Sequence, residues 1–332
     1  MPDKDIVVDD SQISYGLFHN KTKFKEGAEL FPSGGKPSPL DIKQGYTDLD
    51  CYLLSVLSSL AATREGRNFI FDCFPDYKLV IDEQDILKRV DWFKNRDKIK
   101  VCFFKPDGSR DKLNITVDKT ALRKKGVPWV RLLEKAFAVY KTKYMKGEYF
   151  DKLREQYKKK GKIKSRVIDG SKGPDSASAF CAAAFTGEKY EFTDEYPFHG
   201  VDRGQLKKFS SGPYSSEVSQ VYENIKSATN FHKVVTAGAS RGIKIYSKGL
   251  FLMHAYTILG VEEKGGKKYV IVRNPYAGRS RVYEKKRDGK MHSKVVTPDR
   301  EEDKGVSKLE LNDFCKYFDS YTIGAKQYII GD

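Results

Sequence analysis

The chain has 332 residues, a formal net charge of +16 and a hydrophobic content of 39%. This composition excludes an intrinsically disordered protein, and since no apolar run reaches the roughly 18 residues of a membrane-crossing helix, we expect no transmembrane segment. The positive charge is typical of a solvated basic surface. No aromatic and basic motif of the nucleic-acid-binding modules accompanies it, so we expect no specific nucleic-acid function.

The five cysteines are scattered singly and form no Cys-x-x-Cys pair. Disulfides and a structural zinc site are therefore not expected, and the pattern is typical of a reducing compartment. Residues 1–12 are acidic and have no apolar stretch of the kind that secretory signals carry. We expect a cytoplasmic protein, and export without a classical signal peptide stays open.

The order of local patterns predicts an irregular lead-in followed by two subdomains. Residues 1–40 are polar and end in a stretch rich in Pro and Gly, which is typical of a loop. The first subdomain, residues 41–200, holds helical patterns and one hairpin: a helix that begins at 51, one that begins after Pro128 and one that spans 176–185, and strands at 99–104 and 112–117. The second, residues 201–330, holds one helix and then strands: 218–229, 232–237, 250–261, 269–274 and 280–285. The predicted fold class is α+β, with a helical N-terminal half and an antiparallel-sheet C-terminal half.

Cys51 opens the first apolar helical pattern and is a candidate nucleophile. At about 100° per residue, the apolar stripe contains Leu53, Val56, Leu57 and Leu60, and Cys51 lies on the other side beside Ser55 and Ser58. A lone cysteine in a helix is usually a small buried hydrophobe. A cysteine in the first turn, however, lies near free backbone N–H groups that favour a thiolate.

Acidic neighbours of Cys51 oppose that effect. Thr47, Asp48 and Asp50 suit the cap of the helix, but the carboxylates of Asp48 and Asp50 favour a neutral thiol. A reactive Cys51 therefore needs a cationic partner from elsewhere in the chain, most simply an imidazolium.

His254 lies inside an apolar strand pattern, where a histidine is usually a satisfied core residue. The next strand pattern ends at Asn274, and the loop between the two strands decides whether these side chains meet. A three-residue loop over 263–265 pairs residue 254 with 274. A two-residue Gly265–Gly266 turn shifts the register by three and puts the two side chains on opposite faces. A His–Asn pair therefore requires the longer loop.

If Asn274 holds one ring nitrogen of His254, the other nitrogen can face Cys51. This arrangement is the cysteine version of the catalytic triad of nucleophile, base and orienting group. Gln44 lies seven residues before Cys51. Its side-chain N–H, together with the backbone N–H of Cys51, suits an oxyanion hole. Taken alone, Gln44 is an ordinary loop glutamine.

Five motifs follow one another between residues 40 and 325. They are Gln44 before Cys51-Tyr52, then Trp129-Val-Arg-Leu-Leu-Glu-Lys-Ala-Phe-Ala, His254-Ala-Tyr-Thr, Arg273-Asn-Pro-Tyr, and Leu309-Glu-Leu-Asn-Asp-Phe-Cys-Lys-Tyr-Phe-Asp. In this order they resemble the calpain group of papain-like cysteine proteases. Two positions beside the cysteine depart from the family pattern, with Leu49 in place of a glycine and Tyr52 in place of a tryptophan.

The resemblance implies a papain-like core of two subdomains with a cleft between them. It implies an endopeptidase for protein or peptide substrates, with Cys51 as nucleophile, His254 as base and Asn274 as orienting group. Gln44 and the Cys51 backbone N–H form the oxyanion hole, and Tyr276 replaces the family tryptophan that shields the His–Asn contact.

The resemblance leaves calcium dependence open and assigns no certain cofactor. The family's calcium loop in the second half of the core has acidic residues around a Gly-Glu-Phe-Trp turn. Here Glu301, Glu302 and Asp303 precede Gly305, but Val306 and Ser307 follow it, so the loop is incomplete. There is no EF-hand pattern, and no metal ligand is assigned.

Two other functions remain compatible with these residues. The same triad serves deamidation or transglutamination, as in a microbial effector, with a different acyl acceptor. A non-catalytic basic binding module is the alternative from another class. The oligomeric state is not predicted.

Overall fold

The structure, a computed structural model, describes residues 6–8, 13–14, 22–25, 27–44, 50–77, 91–121, 126–145, 168–169, 177–190, 214–239, 250–251, 254–277, 280–285, 291–296 and 305–330. The helices in these ranges are α1 Cys51–Ala62, α2 Arg64–Asp72, α3 Pro128–Tyr144, α4 Ala177–Thr186, α5 Ser216–Asn230 and α6 Leu311–Tyr317, with a 3-10 turn at Pro39–Asp41. The strands are β1 Ile6–Val8, β2 Ile13–Ser14, β3 Thr22–Lys23, β4 Lys98–Phe104, β5 Lys112–Asp118, β6 Thr120–Ala121, β7 Ile168–Asp169, β8 Val235–Ala239, β9 Ala255–Lys264, β10 Lys267–Arg273, β11 Ser280–Lys285, β12 Met291–Val296, β13 Val306–Glu310, β14 Phe318–Ile323 and β15 Lys326–Ile329.

The chain divides into two compact units. Unit 1 comprises Met1–Asp50, Arg67–Asp175 and Ala183–Tyr190, and unit 2 comprises Cys51–Gly66, Ser176–Ala182 and Glu191–Asp332. Cys51, His254 and Asn274 therefore belong to the same unit, whereas Gln44 belongs to the other. The predicted boundaries, 41–200 and 201–330, differ from this division because they group Cys51 with the helical half.

Unit 1 is organised around α3 and a small sheet. In that sheet β4 and β5 are antiparallel, and β1 lies parallel to β5. Aromatic rings fill the core, since Phe103 contacts Phe137 and Phe185 at centroid distances of 5.8 and 5.4 Å. The Trp129 indole N–H donates to the Asp41 carboxylate at 2.9 Å. This bond ties the segment just before Gln44 to α3.

Unit 2 is built on an antiparallel sheet whose described strands follow the order β13-β10-β9-β8-β14-β15. The apolar residues of α5 recur at helical spacing and are buried in the core of this unit: Val218, Val221, Tyr222 and Ile225. β11 and β12 form a separate antiparallel pair. The α+β class predicted from the sequence is confirmed, since helices combine with antiparallel sheets.

The helix that Cys51 opens contacts β8 and β9 and is buried on every side from Tyr52 to Ala61. The sequence predicts an apolar stripe and an opposite polar side, but the polar side is buried as well. Its hydroxyl groups are hydrogen-bonded. Ser59 Oγ accepts the Val235 backbone N–H of the sheet at 3.0 Å, and the Ser55 hydroxyl donates to the Tyr52 backbone oxygen within the helix at 2.9 Å. Polar groups can be buried in this way because they are hydrogen-bonded.

A two-residue turn joins β9 to β10. Lys264 pairs with Lys267, and Gly265 and Gly266 have φ values of 59° and 71°. Positive φ at both central residues is the type I′ hairpin turn, which glycine adopts without strain. The prediction that a His–Asn pair requires a three-residue loop is therefore wrong.

A β-bulge nevertheless brings His254 to Asn274. Ile271 pairs with Gly260 and Val272 with Ile258, so β9 contributes one extra residue, Leu259. A slip of one residue exchanges the two faces of a strand. The last pair of the two strands is Arg273 with Thr257. One residue further along, Asn274 lies opposite residue 256, and His254 is on the same face of the strand as residue 256. The bulge thus reverses the effect of the short turn.

Helices and strands with strong local patterns are confirmed by the structure. α1 begins at Cys51 as predicted, and β4 and β5 form the predicted hairpin. α3 begins at Pro128, one residue before its predicted start. The elements that the sequence did not predict include β13, β14, β15 and α6. The three strands are short and contain charged residues. They form because other strands offer backbone partners: β10 pairs with β13, β8 with β14, and β14 with β15. None of the described helices combines the length and apolar character needed to cross a membrane.

Gly66 allows α2 to follow closely on α1, and this contact gives a test of the packing. A Cβ atom at Gly66 would lie 2.2 Å from the backbone oxygen of Leu60. We expect Gly66→Ala to lower the free energy of unfolding by about 1–3 kcal/mol, the usual range for overpacking a core, as measured by urea denaturation.

Gly260→Ala is the matched control. A Cβ atom there would meet no other atom within 4 Å, and its backbone does not have a left-handed φ. We expect a change within about 0.5 kcal/mol. Equal effects of the two substitutions would contradict the close contact at Gly66.

Candidate active site

Cys51 is the first residue of α1 and is partly exposed, whereas the other four cysteines, all within the described ranges, are buried. Its Sγ accepts a hydrogen bond from the backbone N–H of Ala255 at 3.4 Å. Ala255 is the first residue of β9 and directly follows His254. The thiol at the start of α1 therefore lies beside the start of β9. The helix N-terminus and this N–H both suit a sulfur that carries negative charge.

The side chains of His254 and Asn274 are hydrogen-bonded and buried. His254 Nε2 lies 2.9 Å from Asn274 Oδ1. The same oxygen accepts the backbone N–H of Tyr276 at 2.9 Å. A backbone N–H can only donate, which identifies the acceptor as the amide oxygen, so Nε2 must be the protonated nitrogen of His254. The other ring nitrogen, Nδ1, is then the one that can accept a proton.

Aromatic rings surround the His254 imidazole. Tyr276 stacks on it with an interplanar angle of 2° and a centroid distance of 4.5 Å. Tyr256 meets it edge-on at 5.1 Å, and Phe251 lies 5.7 Å away. Tyr276 is thus stacked on the imidazole, and its role as a shield of the His–Asn contact stays a prediction.

Burial lowers the pKa of His254 to about 4, and the hydrogen bond to Asn274 opposes this change only in part. The imidazole is therefore neutral near pH 7. The sequence predicted an imidazolium as the partner of Cys51, but an apolar, buried site disfavours the charged ring. The backbone N–H of Ala255 is a donor close to the sulfur in the resting protein.

Asp50, the residue before Cys51, is also buried. Burial, followed by the neighbouring carboxyl group of Glu134, raises the pKa of Asp50 well above its ordinary value. A raised pKa favours the uncharged form of the carboxyl group, which weakens the repulsion of a thiolate that the sequence predicted from Asp50. The other predicted acidic neighbour, Asp48, lies outside the described residues, as do Thr47 and Leu49.

Gln44 is buried and follows Ile42, which is also buried, after the 3-10 turn in unit 1. Its role in an oxyanion hole stays a prediction. Residues 301–303 of the predicted calcium loop lie outside the described ranges. Within those ranges, no group of three or more His, Cys, Asp or Glu side chains is placed to hold a metal ion.

Sequence reasoning missed the side chains that support the candidate site. Phe251 and Tyr256 were not singled out, although Tyr256 shares the strand alternation of His254 and its hydroxyl oxygen accepts the Phe251 N–H at 2.7 Å. Arg273 entered only as part of a motif, yet its side chain is 1% exposed. A charged residue inside an apolar strand pattern is the signal that points to it.

The depressed pKa of His254 predicts acid sensitivity. Between pH 6.5 and about pH 4 the unfolded chain binds a proton at this ring that the folded protein does not bind, so stability falls as the pH falls through this window. The difference corresponds to roughly 3 kcal/mol. We expect His254→Gln to lose this part of the pH dependence, as measured by urea unfolding from pH 7 to pH 4.

His232→Asn is the matched control for that experiment. His232 is exposed and has a φ of 53°, a conformation that asparagine tolerates. This variant should keep the acid dependence of the wild-type protein. If His254→Gln kept it as well, His254 would not be a buried neutral base in the folded protein.

Comparison with known proteins adds no family to this geometry. The chain matches none of the protein-family models and none of the curated protein sequences with which it was compared. The resemblance to the calpain group therefore stays a prediction that rests on the motifs of the sequence.

Proposed function

We propose that the protein is a cysteine-type endopeptidase with a papain-like core that resembles the calpain group. In this proposal Cys51 is the nucleophile, His254 the base and Asn274 its orienting group. The observation that carries the proposal is the Asn274 amide oxygen, which binds His254 Nε2 and Tyr276 N–H together. This arrangement selects the tautomer that leaves Nδ1 able to accept the thiol proton.

Formation of the acyl-enzyme begins with attack of the Cys51 sulfur on the carbonyl carbon of a peptide bond. The thiol proton passes to His254 Nδ1, and the carbonyl oxygen becomes an oxyanion. The imidazolium then gives its proton to the departing amine nitrogen as the carbon–nitrogen bond breaks. Water, deprotonated by the same nitrogen, attacks the thioester and releases the acid and the Cys51 thiol.

The neutral resting state of His254 fits a proton that moves during the attack rather than before it. An imidazolium in a buried aromatic site is costly on its own, and the charge of the oxyanion compensates for it as the reaction proceeds. Asn274 contributes because its oxygen accepts the hydrogen bond of Nε2–H in both charge states of the ring. The site therefore favours the transition state over the resting ion pair.

Cys51→Ala should abolish peptide hydrolysis and covalent labelling by thiol-directed peptide inhibitors, because the variant has no sulfur nucleophile. Mass spectrometry of the labelled protein and a fluorogenic peptide-library assay measure the two effects. Cys315→Ala is the control, since Cys315 is fully buried in unit 2 and is not expected to react. Retained cleavage by Cys51→Ala would overturn the proposed function.

Gln44→Ala should lower kcat by about 10²–10³-fold and leave KM within a few-fold, because an oxyanion donor acts on the transition state and not on bound substrate. Steady-state kinetics with a peptide substrate measure this difference. Alkylation of Cys51 by iodoacetamide should stay near the wild-type rate, since that reaction forms no oxyanion.

Gln220→Ala controls for the loss of an amide at an exposed glutamine on α5. It should change neither kcat nor alkylation. If Gln44→Ala lost catalysis and alkylation together, Gln44 would hold the cysteine or its loop in place, and its role as an oxyanion donor would be excluded.

A further inference from the structure

One side of α1 meets the β9–β10 pair at successive turns. Cys51, Ser55 and Ser58 lie at helical positions i, i+4 and i+7, which share one face. Cys51 Sγ accepts the N–H of Ala255. One turn later, the backbone oxygen of Ser55 accepts the hydroxyl of Thr257 at 2.7 Å.

The next turn of this face is bound by Arg273. Its Nη1 donates to Ser58 Oγ at 3.1 Å, and both side chains are buried. Thr257 and Arg273 are directly opposite each other in the register of β9 and β10. The Thr257–Arg273 pair therefore binds two consecutive turns of the helix that begins at Cys51.

This pair lies in the strands that hold the other two candidate residues. Arg273 directly precedes Asn274, and Thr257 comes three residues after His254. Any shift of α1 along the sheet must break hydrogen bonds to Thr257 and Arg273. The rung that pairs Thr257 with Arg273 thus also binds the helix that carries Cys51.

The choice of a buried arginine supports a positioning role over simple packing. Burial of a guanidinium is costly, and an apolar residue of similar volume often stabilises a core at least as well. A guanidinium, however, donates in a fixed planar geometry and so restricts where its partner can lie. Such directional bonds fix position, whereas apolar packing tolerates sliding.

We propose that the Thr257–Arg273 pair positions Cys51 against His254 and Asn274, an inference that rests on the proposed function of those three residues. Thr257 and Arg273 are positioning residues in this scheme. They act through α1 and do not touch the reacting atoms.

Two neighbouring serines of α1 provide a matched test. Ser58→Ala removes the acceptor of Arg273, whereas Ser59→Ala removes the acceptor of the Val235 N–H on β8. Both side chains are buried, and both substitutions delete one hydroxyl group. Both variants should lose thermal stability, but Ser58→Ala should lower kcat about tenfold or more with KM within about twofold, while Ser59→Ala retains kcat.

Thr257→Val gives a second variant on the sheet side, because it removes the donor to Ser55 and nearly keeps the side-chain shape. It should resemble Ser58→Ala. If Ser58→Ala and Ser59→Ala lowered kcat equally, in proportion to their loss of stability, the pair would be merely structural and the inference would be overturned.

Alkylation of Cys51 separates this inference from the proposed function. The pH midpoint of the iodoacetamide reaction depends on the placement of the sulfur near the Ala255 N–H, and the reaction needs no peptide substrate. We expect Ser58→Ala and Thr257→Val to raise the midpoint and Ser59→Ala to leave it unchanged. A wild-type protein that alkylates but cleaves no peptide would refute the proposed function alone. An unchanged midpoint in Ser58→Ala would refute the positioning role.

Discussion

The candidate site depends on how firmly Asn274 is held at the end of β10. Its backbone N–H donates to Gly305 at 2.8 Å, its backbone oxygen accepts from Ala277 at 3.0 Å, and its side-chain oxygen accepts from Tyr276. The amide oxygen therefore has a defined place before any histidine binds it. Because that oxygen already takes one N–H, His254 can join it only as a donor, and the tautomer of the ring follows from backbone geometry.

Burial then decides the charge of the imidazole. The rings of Tyr276, Tyr256 and Phe251 replace water around His254. An ionised ring would lose more hydration than one neutral amide restores, which is why its pKa falls. A base of this kind is weak in the resting protein. It suits a reaction in which negative charge develops close by at the moment the proton arrives.

Hydrogen bonds between α1 and the sheet fix the position of the sulfur relative to that ring. The helix is buried on the side that carries its hydroxyl groups, and each hydroxyl that meets the sheet has a named partner there. An apolar helix face would stabilise unit 2 through burial alone but would specify its register less strictly. The buried polar contacts thus connect the fold of unit 2 to the geometry of the candidate site.

The sequence by itself determined the elements with strong local patterns and the residue types of the candidate site. A helix from Cys51, a helix from Pro128 and the β4–β5 hairpin follow from apolar periodicity and from turn residues, which act over a few neighbours in the chain. Only the tertiary structure decided whether His254 reaches Asn274. The Gly265–Gly266 turn forbids the contact and the bulge at Leu259 restores it, and no local pattern reveals a bulge that depends on the pairing of two strands. The pKa shifts of His254 and Asp50 also could not be predicted from the sequence, because desolvation depends on neighbours that folding brings together.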